Sequence, residues 1–201
     1  GVEGRLPDAG IDPVKNVQGA LQHFSQAVQR DPENHFNYVQ LRHALFLDDR
    51  RADFVDISLA MLDKFPAQTA TSDFYFNTAQ GLYGQQRRRE ALEMVAASMG
   101  LPRDDRAPAM FSSNLKEEQA RSWHLLGMCL EHEGRVEEAA TAYLTVQRLD
   151  HTEHKYGLYL VQALLRLGRV SEAVAAHDHL KGLPRGLPPP LSRPVAEFRV
   201  P

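Results

Sequence analysis

The chain has 201 residues, enough to bury a sizeable core in one large domain or in an array of small ones. Apolar residues make up 43% and charged residues 24%, an ordinary globular balance, and no stretch approaches the ~20 apolar residues of a membrane-spanning helix. A net charge of −3 disfavours a globally basic nucleic-acid binder. The one cysteine, Cys129, precludes an intramolecular disulfide and leaves the compartment open, a cytoplasmic setting being favoured.

Apolar residues recurring at i, i+3, i+4 and i+7, with start and stop signals, predict nine helices. Residues 1–12 are irregular, broken by Leu6-Pro7, Ala9-Gly10 and Asp12-Pro13. Helices follow over 13–30, 34–48, 51–64, 72–84 and 87–99. Asp12-Pro13 and Asp31-Pro32 each read as an N-cap followed by proline at the first helical position. Residues 100–114 carry two prolines and no helical period. They read as an insertion loop, either a packed spacer or a lid tipped by Met110 and Phe111. Four more helices span 115–133, 135–149, 152–167 and 170–182, with capping-box spacing at Asn114/Glu117 and Asp150/Glu153. Gly84, Gly134 and Gly168 are expected to supply the sharp turn within each hairpin. Residues 184–201 hold six of the twelve prolines, and Pro188-Pro189-Pro190 favours polyproline II. This tail reads as a linker or strap, or as a peptide that docks through Val195, Phe198 and Val200. Strand alternation is hinted at only between Val195 and Val200.

An internal repeat organises these helices. Gly134-Arg135-Val136-Glu137-Glu138-Ala139-Ala140 recurs 34 residues later as Gly168-Arg169-Val170-Ser171-Glu172-Ala173-Val174, with five of seven positions identical. The same offset links Leu126 to Leu160, Leu130 to Leu164, and Pro32 to Pro66. Trp123, Leu126, Gly127, Leu130, Gly134, Ala139 and Tyr143 fall in order on one unit of the pattern. This pattern resembles the tetratricopeptide repeat. The resemblance covers roughly residues 13–183. A first half-unit holds Ala20, Phe24 and Ala27. A second unit holds Tyr38, Leu41 and Leu45, with Phe54 where a small alanine is usual. A third holds Tyr75, Leu82 and Ala91, and a fifth has Gly157 where a large aromatic belongs. The expected fold is all-α, a right-handed α-solenoid of four to five tetratricopeptide-like hairpins. One hairpin cannot bury its apolar face alone, whereas stacked neighbours share a core. The starting half-unit and proline tail suggest part of a longer array.

The resemblance implies that the first helix of each unit lines a concave groove. With unit starts at 35, 72, 120 and 154, the lining is Phe36, Val39, His43 and Phe46; then Asp73, Phe76, Gln80 and Tyr83; then Arg121, His124, Met128, Glu131 and His132; then Lys155, Leu158, Gln162, Leu165 and Arg166. Asn77 and Tyr159 lie at its edge. Aromatic and apolar residues at one end and charges at the other suit a peptide held by apolar anchors and a few polar contacts. Some family members clamp a peptide carboxylate with lysine, asparagine and arginine across three units. Asn77 matches the central asparagine, but Val39, His43 and Leu125 depart from the clamp.

Other chemistry is weakly signalled. Of the nine histidines, His151/His154, His177/His179 and His124/His132 with Cys129 supply no zinc-like ligand set, so no metal or cofactor is expected. Nucleophile-elbow, phosphate-loop, dinucleotide and zinc-protease motifs are missing, so no catalytic residue is named. Arg87-Arg88-Arg89 opens a helix and reads as a solvated basic turn or as a site for an acidic partner or anionic lipid. Cys129 is expected to pack between helices. The leading expectation is a non-catalytic scaffold that binds a peptide or partner protein in the groove. The alternatives are the targeting region of a multidomain enzyme, a scaffold self-assembling through its tail or end units, and, more remotely, an enzyme using His124, Glu131 and His132.

Overall fold

The computed structural model describes residues 13–100, 115–149 and 154–180. Every regular element among them is helical: α1 Pro13–Arg30, α2 His35–Leu47, α3 Arg51–Lys64, α4 Pro66–Thr69, α5 Ser72–Gly84, α6 Arg88–Ser98, α7 Leu115–His132, α8 Val136–Leu149, α9 His154–Arg166 and α10 Val170–Leu180. The nine expected helices are present within a few residues at each end, and α4 is additional. The expectations for residues 101–114, for the Asp150/Glu153 cap and for the tail lie outside the described residues.

The described residues fall into two compact units that divide between Thr69 and Ala70. In the first, α1 packs on α2, α2 on α3, and α3 on α4. Its core is Leu21, Tyr38, Leu41, Leu45, Phe54, Val55, Met61 and Phe65. Phe54, large where a small residue was expected, is buried with the Arg42 guanidinium 4.5 Å over its ring. The Arg42 Nε–H donates to Ser58 Oγ at 2.7 Å, and burial lowers its pKa to about 10. In the second unit each helix from α5 to α10 packs on the next, and α5 also reaches α7. Ala91, Ala139 and Ala173 are buried there at equivalent positions, where small side chains let helices approach.

One local device builds the four hairpins α2–α3, α5–α6, α7–α8 and α9–α10. Two residues past the first helix the backbone enters the left-handed region, at Asp49 (φ 54°), Gln86 (φ 66°), Gly134 (φ 76°) and Gly168 (φ 71°). The next residue is always arginine. Its backbone N–H closes the helix end by donating to a leucine carbonyl: Arg50 to Leu45 at 3.0 Å, Arg87 to Leu82 at 3.0 Å, Arg135 to Leu130 at 2.9 Å, and Arg169 to Leu164 at 2.9 Å. Each arginine side chain then pairs at 2.6 Å with an acid three residues on: Asp53, Glu90, Glu138 or Glu172.

Two expectations about helix ends are corrected. Gly84 is the last residue of α5, and Gln86 makes the turn instead. Asp31-Pro32 lies between α1 and α2 rather than opening α2, whose N-cap is Asn34, its side chain accepting from the Phe36 N–H at 3.1 Å. The arginine triplet is also accounted for. Arg87 pairs with Glu90, Arg88 lies 4.2 Å over the Tyr83 ring, and Arg89 faces Glu93 at 3.8 Å.

Candidate functional site

In the first unit, Phe36, Val39, His43 and Phe46 lie along α2 at spacings of three, four and three residues, which keeps them on one stripe. Phe36 is 62% exposed, Val39 and Phe46 are also exposed, and His43 is half-buried. Phe46 leans on the buried Phe54 ring at 5.9 Å.

In the second unit, side chains of several expected lining residues on α5, α7 and α9 meet one another. The Arg121 guanidinium lies 5.8 Å from the Phe76 ring, joining α7 to α5. Tyr83 meets His132 edge-on at 6.1 Å. His124 lies at 4.7 Å from both Tyr156 and Tyr159, and at 6.0 Å from Tyr143, joining α7, α8 and α9. Asp73 and Met128 are half-buried, and Gln80 and Gln162 are exposed. Asn77 is half-buried, and its buried Oδ1 has no hydrogen-bond partner among the described residues. Lys155 lies in α9, its side chain outside the described residues. Leu125, at the clamp's arginine position, is buried in the core.

Two leucines and one network give this face its character. Leu158 and Leu165, seven residues apart on α9, are each 52% exposed. On α7 the Glu131 carboxylate accepts the Tyr143 hydroxyl at 3.1 Å on one oxygen and, on the other, an N–H of Arg166, which follows Leu165 on α9. Tyr143 is fully buried on α8 and lies 5.5 Å from Tyr159. Burial, then the Glu131 charge, pushes the Tyr143 phenol well above its ordinary pKa, so it remains a donor. Tyr143 was legible as a repeat position but not as a support for Glu131; an outer-helix tyrosine twelve residues beyond an inner-helix acid is too generic a signal. Cys129, beneath α7's exposed face, is fully buried and its thiol is pushed up to about 12, chiefly by burial. Among the described residues, no group of three His, Cys, Asp or Glu side chains is placed to hold a metal ion, and no helix is long and apolar enough to cross a membrane.

No protein-family model matches the chain, and no curated protein matches it in sequence. Solved structures do match in fold. YrrB, described as a TPR protein with an unusual peptide-binding site, aligns over 86% of this chain and 80% of its own, with 15% identity and a TM-score of 0.68. MamA, residues 41 to the end, from Desulfovibrio magneticus RS-1 aligns over 83% and 85%, with 17% identity and a TM-score of 0.64. Pseudomonas aeruginosa PilF aligns over 88% and 73%, with 16% identity and a TM-score of 0.57. The hairpin device, the buried alanines and these alignments together show that the chain has the all-α, solenoid fold of tetratricopeptide-repeat proteins.

Proposed function

We propose that the chain is an interaction module and that the face formed by α5, α7 and α9 in its second unit binds a peptide segment of a partner protein. The observation that carries this is the pair Leu158 and Leu165. They are large apolar side chains left half-exposed on α9, Leu165 adjoining the Arg166 that pairs with Glu131, and the repeat resemblance puts both on the groove side. Apolar anchors with a few preorganised polar groups are how grooves take extended or helical peptides. YrrB, similar in fold, is described as having a peptide-binding site, which agrees with this use. Phe76, Tyr83, Arg121, His124, Met128, Tyr159 and Gln162, on the same three helices, are the further contacts this reading assigns to the peptide. The test is selection of displayed twelve-residue peptides on the full chain, with Leu158→Glu/Leu165→Glu as comparison. Enriched peptides that bind the parent and lose the variant support the reading. Peptides indifferent to the substitutions, or no enrichment, contradict it.

A second reading, self-association through the end hairpin, is favoured by Val170 and Val174, which stand exposed one turn apart on α10. A concentration-dependent mass in light scattering, abolished by Val170→Glu/Val174→Glu, supports it. A constant monomer mass dismisses it.

A further inference from the structure

We propose that the Glu131 carboxylate is the receptor for a basic side chain, arginine or lysine, of the partner peptide, and that Arg166 holds its place in the free protein. This rests on the reading that the α5–α7–α9 face takes a peptide.

The two members of the Glu131–Arg166 pair are not equivalent. Glu131 is the fixed member. Its side chain is only 21% exposed, and one oxygen is held by the hydroxyl of Tyr143, a fully buried residue. Arg166 is the exposed member. Its side chain is 52% exposed, it sits in the last turn of α9, and it reaches Glu131 from another helix. A half-exposed arginine loses little by exchanging one carboxylate for water, because exposed pairs are weak. A half-buried carboxylate loses much if left without a cation. The stable arrangement therefore keeps a cation on Glu131, while leaving open whose cation it is.

The surroundings suit a cation. The partly exposed Tyr159 ring lies 5.5 Å from the buried Tyr143 ring whose hydroxyl donates to the carboxylate, and aromatic faces attract ammonium and guanidinium groups. The Tyr83 ring already carries Arg88 at 4.2 Å, which shows the same preference on this unit. Leu165, beside Arg166 in sequence, offers apolar surface to the stem of an incoming lysine or arginine. A net charge of −3 adds no long-range repulsion.

The experiment follows tyrosine ring signals by NMR in the full chain, with Nα-acetyl-arginine amide as probe and Nα-acetyl-norleucine amide as control. The arginine amide is expected to move the Tyr143 and Tyr159 signals. In Arg166→Ala, where the Arg166 guanidinium no longer competes, the same movement is expected at roughly tenfold lower probe concentration. In Glu131→Gln it is expected to vanish. Arg166→Gln carries the comparison if Arg166→Ala does not fold. Signals that stay still in parent and Arg166 variant alike, or that move equally with the norleucine amide, overturn the proposal. So do selected peptides that bind the face without any basic residue, an outcome that leaves the peptide reading standing. The converse, a responsive tyrosine pair with no selectable peptide, removes the peptide reading and keeps the cation site.

Discussion

A β-carbon added at Gly127 on α7 would lie 2.4 Å from Cε1 of Tyr143 on α8. Helix α8 is therefore seated directly on the α7 backbone, and the approach that positions the Tyr143 hydroxyl under Glu131 depends on glycine at 127. Tyr143 is fully buried and cannot swing aside. Gly127→Leu is expected to cost roughly 1–3 kcal/mol by overpacking. Gly127→Ala should also destabilise. The three atoms nearest a β-carbon at Gly157 all belong to the side chain of Leu180, the last residue of α10, with Cδ2 at 2.1 Å. A flexible leucine tip can move, so Gly157→Ala should cost less than Gly127→Ala. Urea midpoints of the two variants check the order, and equal midpoints would remove the distinction.

Gly134 tests backbone rather than packing. Its φ is 76° and a β-carbon there meets nothing within 4 Å. Gly134→Ala should therefore lose about 1–2 kcal/mol from the left-handed conformation alone. Gln86 holds the same place in the α5–α6 hairpin at φ 66°. Gln86→Gly should leave stability unchanged or raise it by up to about 1 kcal/mol. A marked loss in Gln86→Gly would show that its side chain, which accepts from Arg88, outweighs the strain.

These turns also show what the sequence made legible. Where the turn residue is glycine, at 134 and 168, the 34-residue repeat located both hairpins. Where it is Asp49 or Gln86 the signal vanished, and Gly84 drew attention two residues too early. The surer mark is the arginine after each turn with an acid three residues later, and that spacing is hidden among many charged residues. Helix α4, four residues opened by Pro66, is too short to show a period. The helices that carry the expected lining residues, α5, α7 and α9, were legible from the repeat register. Their contacts were not, because which ring meets which depends on how neighbouring hairpins stack.

Cys129 is fully buried and its thiol is pushed up to about 12, so thiolate is scarce near neutrality. Its reaction with a disulfide reagent in native buffer should be slow and should accelerate with urea in step with unfolding. Rapid labelling of the native protein would place Cys129 outside the core.

Stability should fall in acid partly through the hairpin pairs. The Arg135 hydrogen bond, then its charge, holds the Glu138 carboxyl below its ordinary value of 4.5, and Arg87 does the same for Glu90. The unfolded chain binds these protons first, so the contribution is complete above that value and is lost as pH falls through the lower folded one. Both pairs are exposed, so each contributes roughly 0.2–1 kcal/mol at most. Between about pH 5 and pH 3, Glu90→Gln/Glu138→Gln should lose less stability than the parent. Parallel losses would mean that the pairs contribute nothing.

The measurement that tests the central claim most directly is calorimetric titration of one selected peptide into the parent chain and into Leu158→Glu/Leu165→Glu, with melting curves confirming that both are folded. The account predicts saturable one-to-one binding to the parent and a loss of at least about tenfold in the variant, the effect of removing two apolar anchors. Equal affinity for two folded proteins would contradict it and would place peptide binding, if any, away from the α5–α7–α9 face.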